Sequence, residues 1–113
     1  MQTEKISWED FAKVEICAGT IIKAENFLKA RKPAYKLLID FGEKGVLKSS
    51  AQIADFYTPE DLAGKQIIAV INFPPKQIAN FISECLVLGV VNKDNKVILI
   101  SPDKNVINGL KIA

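Results

Sequence analysis

Apolar and polar positions alternate along much of the chain. Val14, Ile16 and Ala18 fall on one side against Lys13, Glu15 and Cys17 on the other, and the pattern breaks at Gly19 before resuming at Ile21-Ile22. This predicts a first strand over 14–24 with a bend or bulge at the glycine. Tyr35, Leu37, Ile39 and Phe41 alternate with Lys36, Leu38 and Asp40, which predicts a second strand over 35–41. After a Gly42-Glu43-Lys44-Gly45 turn, residues 46–50 read as a third strand. Two apolar runs, 67–71 and 85–91, predict a fourth strand over 66–71 and a fifth over 85–91. Lys93-Asp94-Asn95 turns the chain into one more strand over 96–100, and Pro102 and Asn108-Gly109 mark a loosely folded end.

Two short helices punctuate this pattern. Ser7 is placed to cap a helix through Trp8 and Phe11, with Asp10 completing a capping box. One and a half turns are not stable alone. The two aromatics are therefore expected to pack on the barrel or on a second subunit. Thr58-Pro59-Glu60-Asp61 opens a second helix with an N-cap, a proline in the first turn and two acids complementing the dipole, and Gly64 ends it.

Three strands, a short helix, two strands and an added hairpin strand make an all-β chain with short helices. That is the element order of a five-stranded Greek-key oligonucleotide/oligosaccharide-binding (OB) barrel with an extra C-terminal strand. An SH3-like barrel or a small sandwich shares the same pattern. In the OB arrangement ligands bind strands two and three and the first and fourth connecting loops. Those loops are here 26–33 and 72–84, which are expected to converge on one surface.

The second of these loops is the more distinctive. Pro74-Pro75 donates no ladder hydrogen bonds, so the sheet must release the chain there. A connection this long between two buried strands points to function. Charge adds to this picture. The net charge is only +2, yet Lys23, Lys29, Arg31, Lys32 and Lys36 face a single acid, Glu25, over 23–36. Over 40–61 five acids outnumber Lys44 and Lys48. Such segregation provides for one basic face.

Composition narrows the chemistry. At 113 residues, 49% apolar and 25% charged, residues 1–113 are expected to form a single domain. The absence of histidine removes the commonest general base and metal ligand. No phosphate-binding glycine loop, CxxC or HExxH is present, so neither catalysis, a metal nor a cofactor is expected. Cys17 and Cys85 read as reduced core thiols. No stretch resembles a signal peptide or reaches the roughly 18 apolar residues of a membrane helix, so a cytoplasmic location without membrane insertion is expected.

Three groups of residues then carry a resemblance. They are Phe11 to Ile21 with Lys13-Val14-Glu15-Ile16-Cys17-Ala18-Gly19, Ala30-Arg31-Lys32-Pro33-Ala34-Tyr35-Lys36-Leu37, and Lys48-Ser49-Ser50-Ala51-Gln52-Ile53. Together with Tyr57-Thr58-Pro59-Glu60-Asp61-Leu62, Asn72 to Glu84 and Ser101-Pro102-Asp103, they resemble the CsaA branch of the tRNA-binding-domain family. The resemblance implies an OB barrel, a homodimer, tRNA binding by shape and no catalysis. It also implies an alternative role as an export-related chaperone for unfolded or precursor polypeptides. The chain has Gln77-Ile78-Ala79-Asn80-Phe81 where strong tRNA binders carry further basic residues, which favours peptide contact.

For tRNA, Lys29, Arg31, Lys32, Lys36 and Lys76 would neutralise phosphates. Ser49, Ser50, Gln52, Asn72 and Asn80 would bond ribose hydroxyls or backbone. Phe73 and Phe81 are each either core or base-stacking, whereas Ser83 and Glu84 are expected to be structural. For a polypeptide, Pro74, Pro75, Ile78 and Phe81 would give apolar contact and amides such as Gln77 would catch the main chain. Dimerisation is expected through Trp8, Phe11 and the C-terminal segment.

Overall fold

The structure is a computed structural model describing residues 3–113. A five-stranded antiparallel sheet in the order β3-β2-β1-β4-β7 curls into a nearly closed barrel. Its strands are β1 (Ile16–Asn26), β2 (Tyr35–Asp40), β3 (Val46–Ala51), β4 (Gln66–Val70) and β7 (Leu86–Val87). The OB-type barrel expected from element order is thus observed, with two short helices, α1 (Trp8–Ala12) and α2 (Pro59–Leu62).

The eleven-residue β1 serves two neighbours. It pairs β4 over Ile16–Thr20 and β2 over Thr20–Asn26, so one strand bends round the barrel. The irregularity lies at Ile22, between Ile21 and Lys23, and not at Gly19. Gly19 has another purpose: a Cβ there would stand 2.6 Å from the Phe41 ring, so the missing side chain makes room for a core aromatic. Bulging Ile22 outward keeps Ile21 fully buried. Inside, Ile21, Leu37, Ile39, Phe41, Leu62 and Ile67 form the core. The Ser7–Asp10 and Thr58–Asp61 capping boxes both form. The second helix ends with Gly64 N–H donating to the Ile21 carbonyl at 2.8 Å, which ties it to β1.

Two stretches depart from the sequence pattern. Residues 72–84 are not a plain loop but hold a small hairpin, β5 (Lys76–Ile78) and β6 (Phe81–Ser83), turning at Ala79-Asn80. The continuous fifth strand over 85–91 is divided: β7 stays in the barrel, while β8 (Gly89–Val91) leaves to pair with β9 (Val97–Leu99). A Cβ at Gly89 would lie 2.4 Å from Val97 Cγ1, so glycine permits the close approach of that hairpin. Apolar content alone does not distinguish one strand from two with a corner between them.

Nor is the C-terminal segment loose. Ala18 N–H donates to the Leu110 carbonyl and Ile112 N–H to the Ile16 carbonyl, covering the part of β1 that β2 leaves unpaired. Thr20 and Gln66 both bond the Asn108 side chain. No helix of the described residues is long and apolar enough to cross a membrane.

Candidate functional site

Barrel closure between β3 and the 83–85 segment depends on side chains more than on a ladder. Glu84 N–H donates to the Lys48 carbonyl at 2.7 Å, and the Glu84 carboxylate accepts from Lys48 N–H at 2.9 Å. Ser83 Oγ accepts from Ser50 N–H at 3.1 Å, and Ser49 Oγ donates to the Cys85 carbonyl at 2.9 Å. Ser83 and Glu84 are structural, as the sequence suggested.

Beside this seam opens a groove of about 1140 Å³. The 26–33 loop forms one wall and the segment from Phe73 through the β5–β6 hairpin the other, so the two loops converge as expected. Lys29, Arg31, Lys32 and Lys76 bring four cations to it. Among the described residues, the ion pairs engage Lys13, Lys23 and Lys44, and none of these groove cations. Glu84 is the acid in the lining, and its carboxylate is held by the Lys48 main chain. The floor is apolar, with Ile53, Ile78 and Val87 among its residues. A positively charged rim over an apolar floor suits a polyanion with exposed flat groups, or an extended chain with apolar side chains.

Seven of the fourteen expected contact residues line the groove: Lys29, Arg31, Lys32, Ser50, Gln52, Pro74 and Lys76. Ser49 does not reach a ligand; it is 1% exposed and its hydroxyl is committed to Cys85. Asn72 is a brace, its Oδ1 accepting from Glu15 N–H at 2.8 Å and its Nδ2 donating to the Lys13 carbonyl at 2.7 Å. Gln77 bonds the Ala79 carbonyl of its own turn, and Pro75 and Asn80 are exposed outside the groove lining. Phe81 is half-buried, edge-on to Phe27 with ring centroids 5.4 Å apart, and Lys36 lies over both rings.

Of the apolar floor, sequence reasoning reached Ile78 but missed Ile53, Val87 and the contribution of Val97 from β9. The corner at Gly89 is what brings β9 there, and no local pattern announces it. Phe73, which was undecided between core and contact, is 53% exposed and lines the groove. The Cys85 thiol also borders it, but burial pushes its pKa up to about 12, so it is protonated at neutral pH and is no nucleophile.

The family model described as a putative tRNA binding domain matches residues 16–111. The methionine–tRNA ligase of Archaeoglobus fulgidus is 38% identical over 111 residues, which is 98% of this chain. The chain spans only 15–16% of the length of such curated relatives. Among solved structures, the chaperone CsaA of Bacillus anthracis str. Ames is 50% identical, with 97% of this chain and 100% of that chain covered and a TM-score of 0.93. A MetRS related protein from Pyrococcus horikoshii is 31% identical, with 98% and 100% covered and a TM-score of 0.88.

Proposed function

This chain belongs to the putative tRNA binding domain family, and from that premise we propose that it binds tRNA in the groove between the 26–33 and 72–84 loops. The observation that supports this most is the meeting of Lys29, Arg31, Lys32 and Lys76 around one groove, from two loops far apart in sequence. Arg31 is the sole arginine, and its planar fork suits a bidentate phosphate contact. Ser50 and Gln52 at the end of β3 are positioned to bond ribose hydroxyls, and Phe73 to stack an unpaired base. Residues 1–113 act as one binding domain without catalysis, in keeping with the lack of histidine and with protonated cysteines. A cytoplasmic setting follows from that ligand.

The partner of α1 is a second copy of this chain. Trp8 is 82% exposed with its ring edge-on to Phe11, and Ile107 in the C-terminal segment is 76% exposed. A two-fold contact through α1 and the C-terminal segment would cover both side chains. Light scattering at micromolar concentration should give a dimer that Trp8→Ser shifts to monomer; a wild-type monomer would refute this.

A second reading has its own support. The apolar floor, and the likeness to a structure described as a chaperone, fit an unfolded or precursor polypeptide in the same groove; a link to export would go with that ligand. Gel-shift titration with total tRNA separates the two. Wild type should shift the tRNA and reversing Arg31 and Lys32 to Glu should abolish that shift, whereas a wild type that gives no shift favours the polypeptide.

A further inference from the structure

Lys36 and Lys48 stand outside the groove lining, on the outer face of β2 and β3. The register pairs Lys36 with Ser50 and Leu38 with Lys48. Residues 36, 38, 48 and 50 therefore share one side of the sheet, opposite the buried Tyr35, Leu37 and Ile39. Ser50 belongs to both surfaces, because it also lines the groove. Ser50 thus joins this outer face to the groove.

Both lysines are held in place by aromatic rings. Lys36 Nζ stands 5.0 Å from the Phe27 ring centroid and 5.6 Å from that of Phe81. Lys48 Nζ stands 5.5 Å from Phe81. A ring positions an ammonium without cancelling its charge, as a carboxylate would. The acids nearby are otherwise occupied. Glu25, the register partner of Lys36 on β1, lies 3.8 Å from Lys23, and the Glu84 carboxylate accepts from the Lys48 main chain. Among the described residues, no carboxylate comes within 4.0 Å of either ammonium.

We propose that Lys48 joins Lys36, which the sequence already marked as a phosphate contact, in a second phosphate-binding patch, onto which a phosphodiester backbone leaving the groove continues past Ser50. The inference rests on the tRNA reading of the groove and extends it. Lys48 joins the binding surface although it lies in the 40–61 stretch, where acids outnumber cations. The patch reads charge and not base identity, because Phe27 is buried and both lysines lie over Phe81, so no ring face is presented for stacking. Its contribution is sequence-independent.

The test is the salt dependence of tRNA affinity for the full chain, its Lys48→Gln variant and the Lys36→Gln/Lys48→Gln double variant. Lys93→Gln, in the exposed β8–β9 turn, is the control. Each patch lysine should lower the slope of log K against log salt by about 0.7–0.9, and Lys93→Gln should leave it unchanged. Lys48→Arg, which keeps both charge and ring contact, should restore the wild-type slope, and this separates binding from packing on Phe81. If the wild type binds with a steep slope and the folded double variant retains it, the patch is refuted while the groove reading stands. If the wild type shows no salt-dependent tRNA binding, both fail together.

Discussion

Ser49 and Cys85 are joined across the barrel seam by a 2.9 Å hydrogen bond from the serine hydroxyl to the cysteine carbonyl. Ser49 is the one buried polar side chain among the described residues, and its bond stands where the β3–β7 ladder is missing. Ser49→Ala should leave that carbonyl with only the long 3.5 Å bond from the Ser83 hydroxyl and destabilise the chain by about 1–2 kcal/mol. Urea unfolding measures this, and an unchanged midpoint would show that the seam closes without it.

Asn72 offers a second structural test. It is the last residue before the groove wall begins at Phe73, and both ends of its amide are bound to the α1–β1 connection. Asn72→Asp keeps the acceptor for Glu15 N–H but sets a carboxylate against the Lys13 carbonyl. Stability should fall by about 1–2 kcal/mol, with Asn72→Ala falling by a similar amount. A neutral Asn72→Ala in thermal melts would remove the brace from the account.

Alkaline pH isolates the buried thiol. Burial raises the Cys85 pKa to about 12, against 9.0 for an exposed thiol. A group raised in the folded state contributes stability that is complete below the unfolded value and is lost as pH climbs through the folded one. Wild type should therefore lose stability between about pH 9 and 12 more steeply than Cys85→Ala does. Parallel curves for the two proteins would contradict the burial of this thiol.

The turn of the β5–β6 hairpin carries strain. Ala79 adopts φ 52°, a left-handed conformation that costs a residue with a Cβ about 1–2 kcal/mol. Ala79→Gly should stabilise the folded chain by roughly 0.5–1 kcal/mol after the added chain entropy of glycine is counted. A loss of stability would mean that the alanine methyl, which borders the groove, makes contacts worth more than the strain.

How much of this was legible in the sequence depends on the range of the cause. The β2 alternation, the Ser7 capping box, the Thr58 N-cap and the release at Pro74-Pro75 are local, and each appears where the residues put it. The convergence of the two basic and proline-bearing loops also followed, since it depends only on strand order. What escaped is set by distant partners. Gly19 reads as a strand break until Phe41 is seen against it, and Asn72 reads as a ligand contact until Lys13 and Glu15 take both ends of its amide. Ser49 illustrates the same limit: a hydroxyl facing a ligand and one sealing a barrel have the same sequence signature. Lys48 was obscured by averaging charge along the chain, where the acidic balance of 40–61 hides a cation that the fold places beside Lys36 and Phe81.

The most direct test of the central claim is titration of total tRNA into the protein at 50 mM and 200 mM salt. Four to six phosphate contacts from the groove and patch lysines and Arg31 predict a loss of affinity of roughly 10²–10³-fold over that range. Equal affinity at the two salts, together with salt-insensitive binding of an unfolded polypeptide that Phe73→Ala abolishes, would contradict tRNA as the ligand and assign the groove to polypeptides.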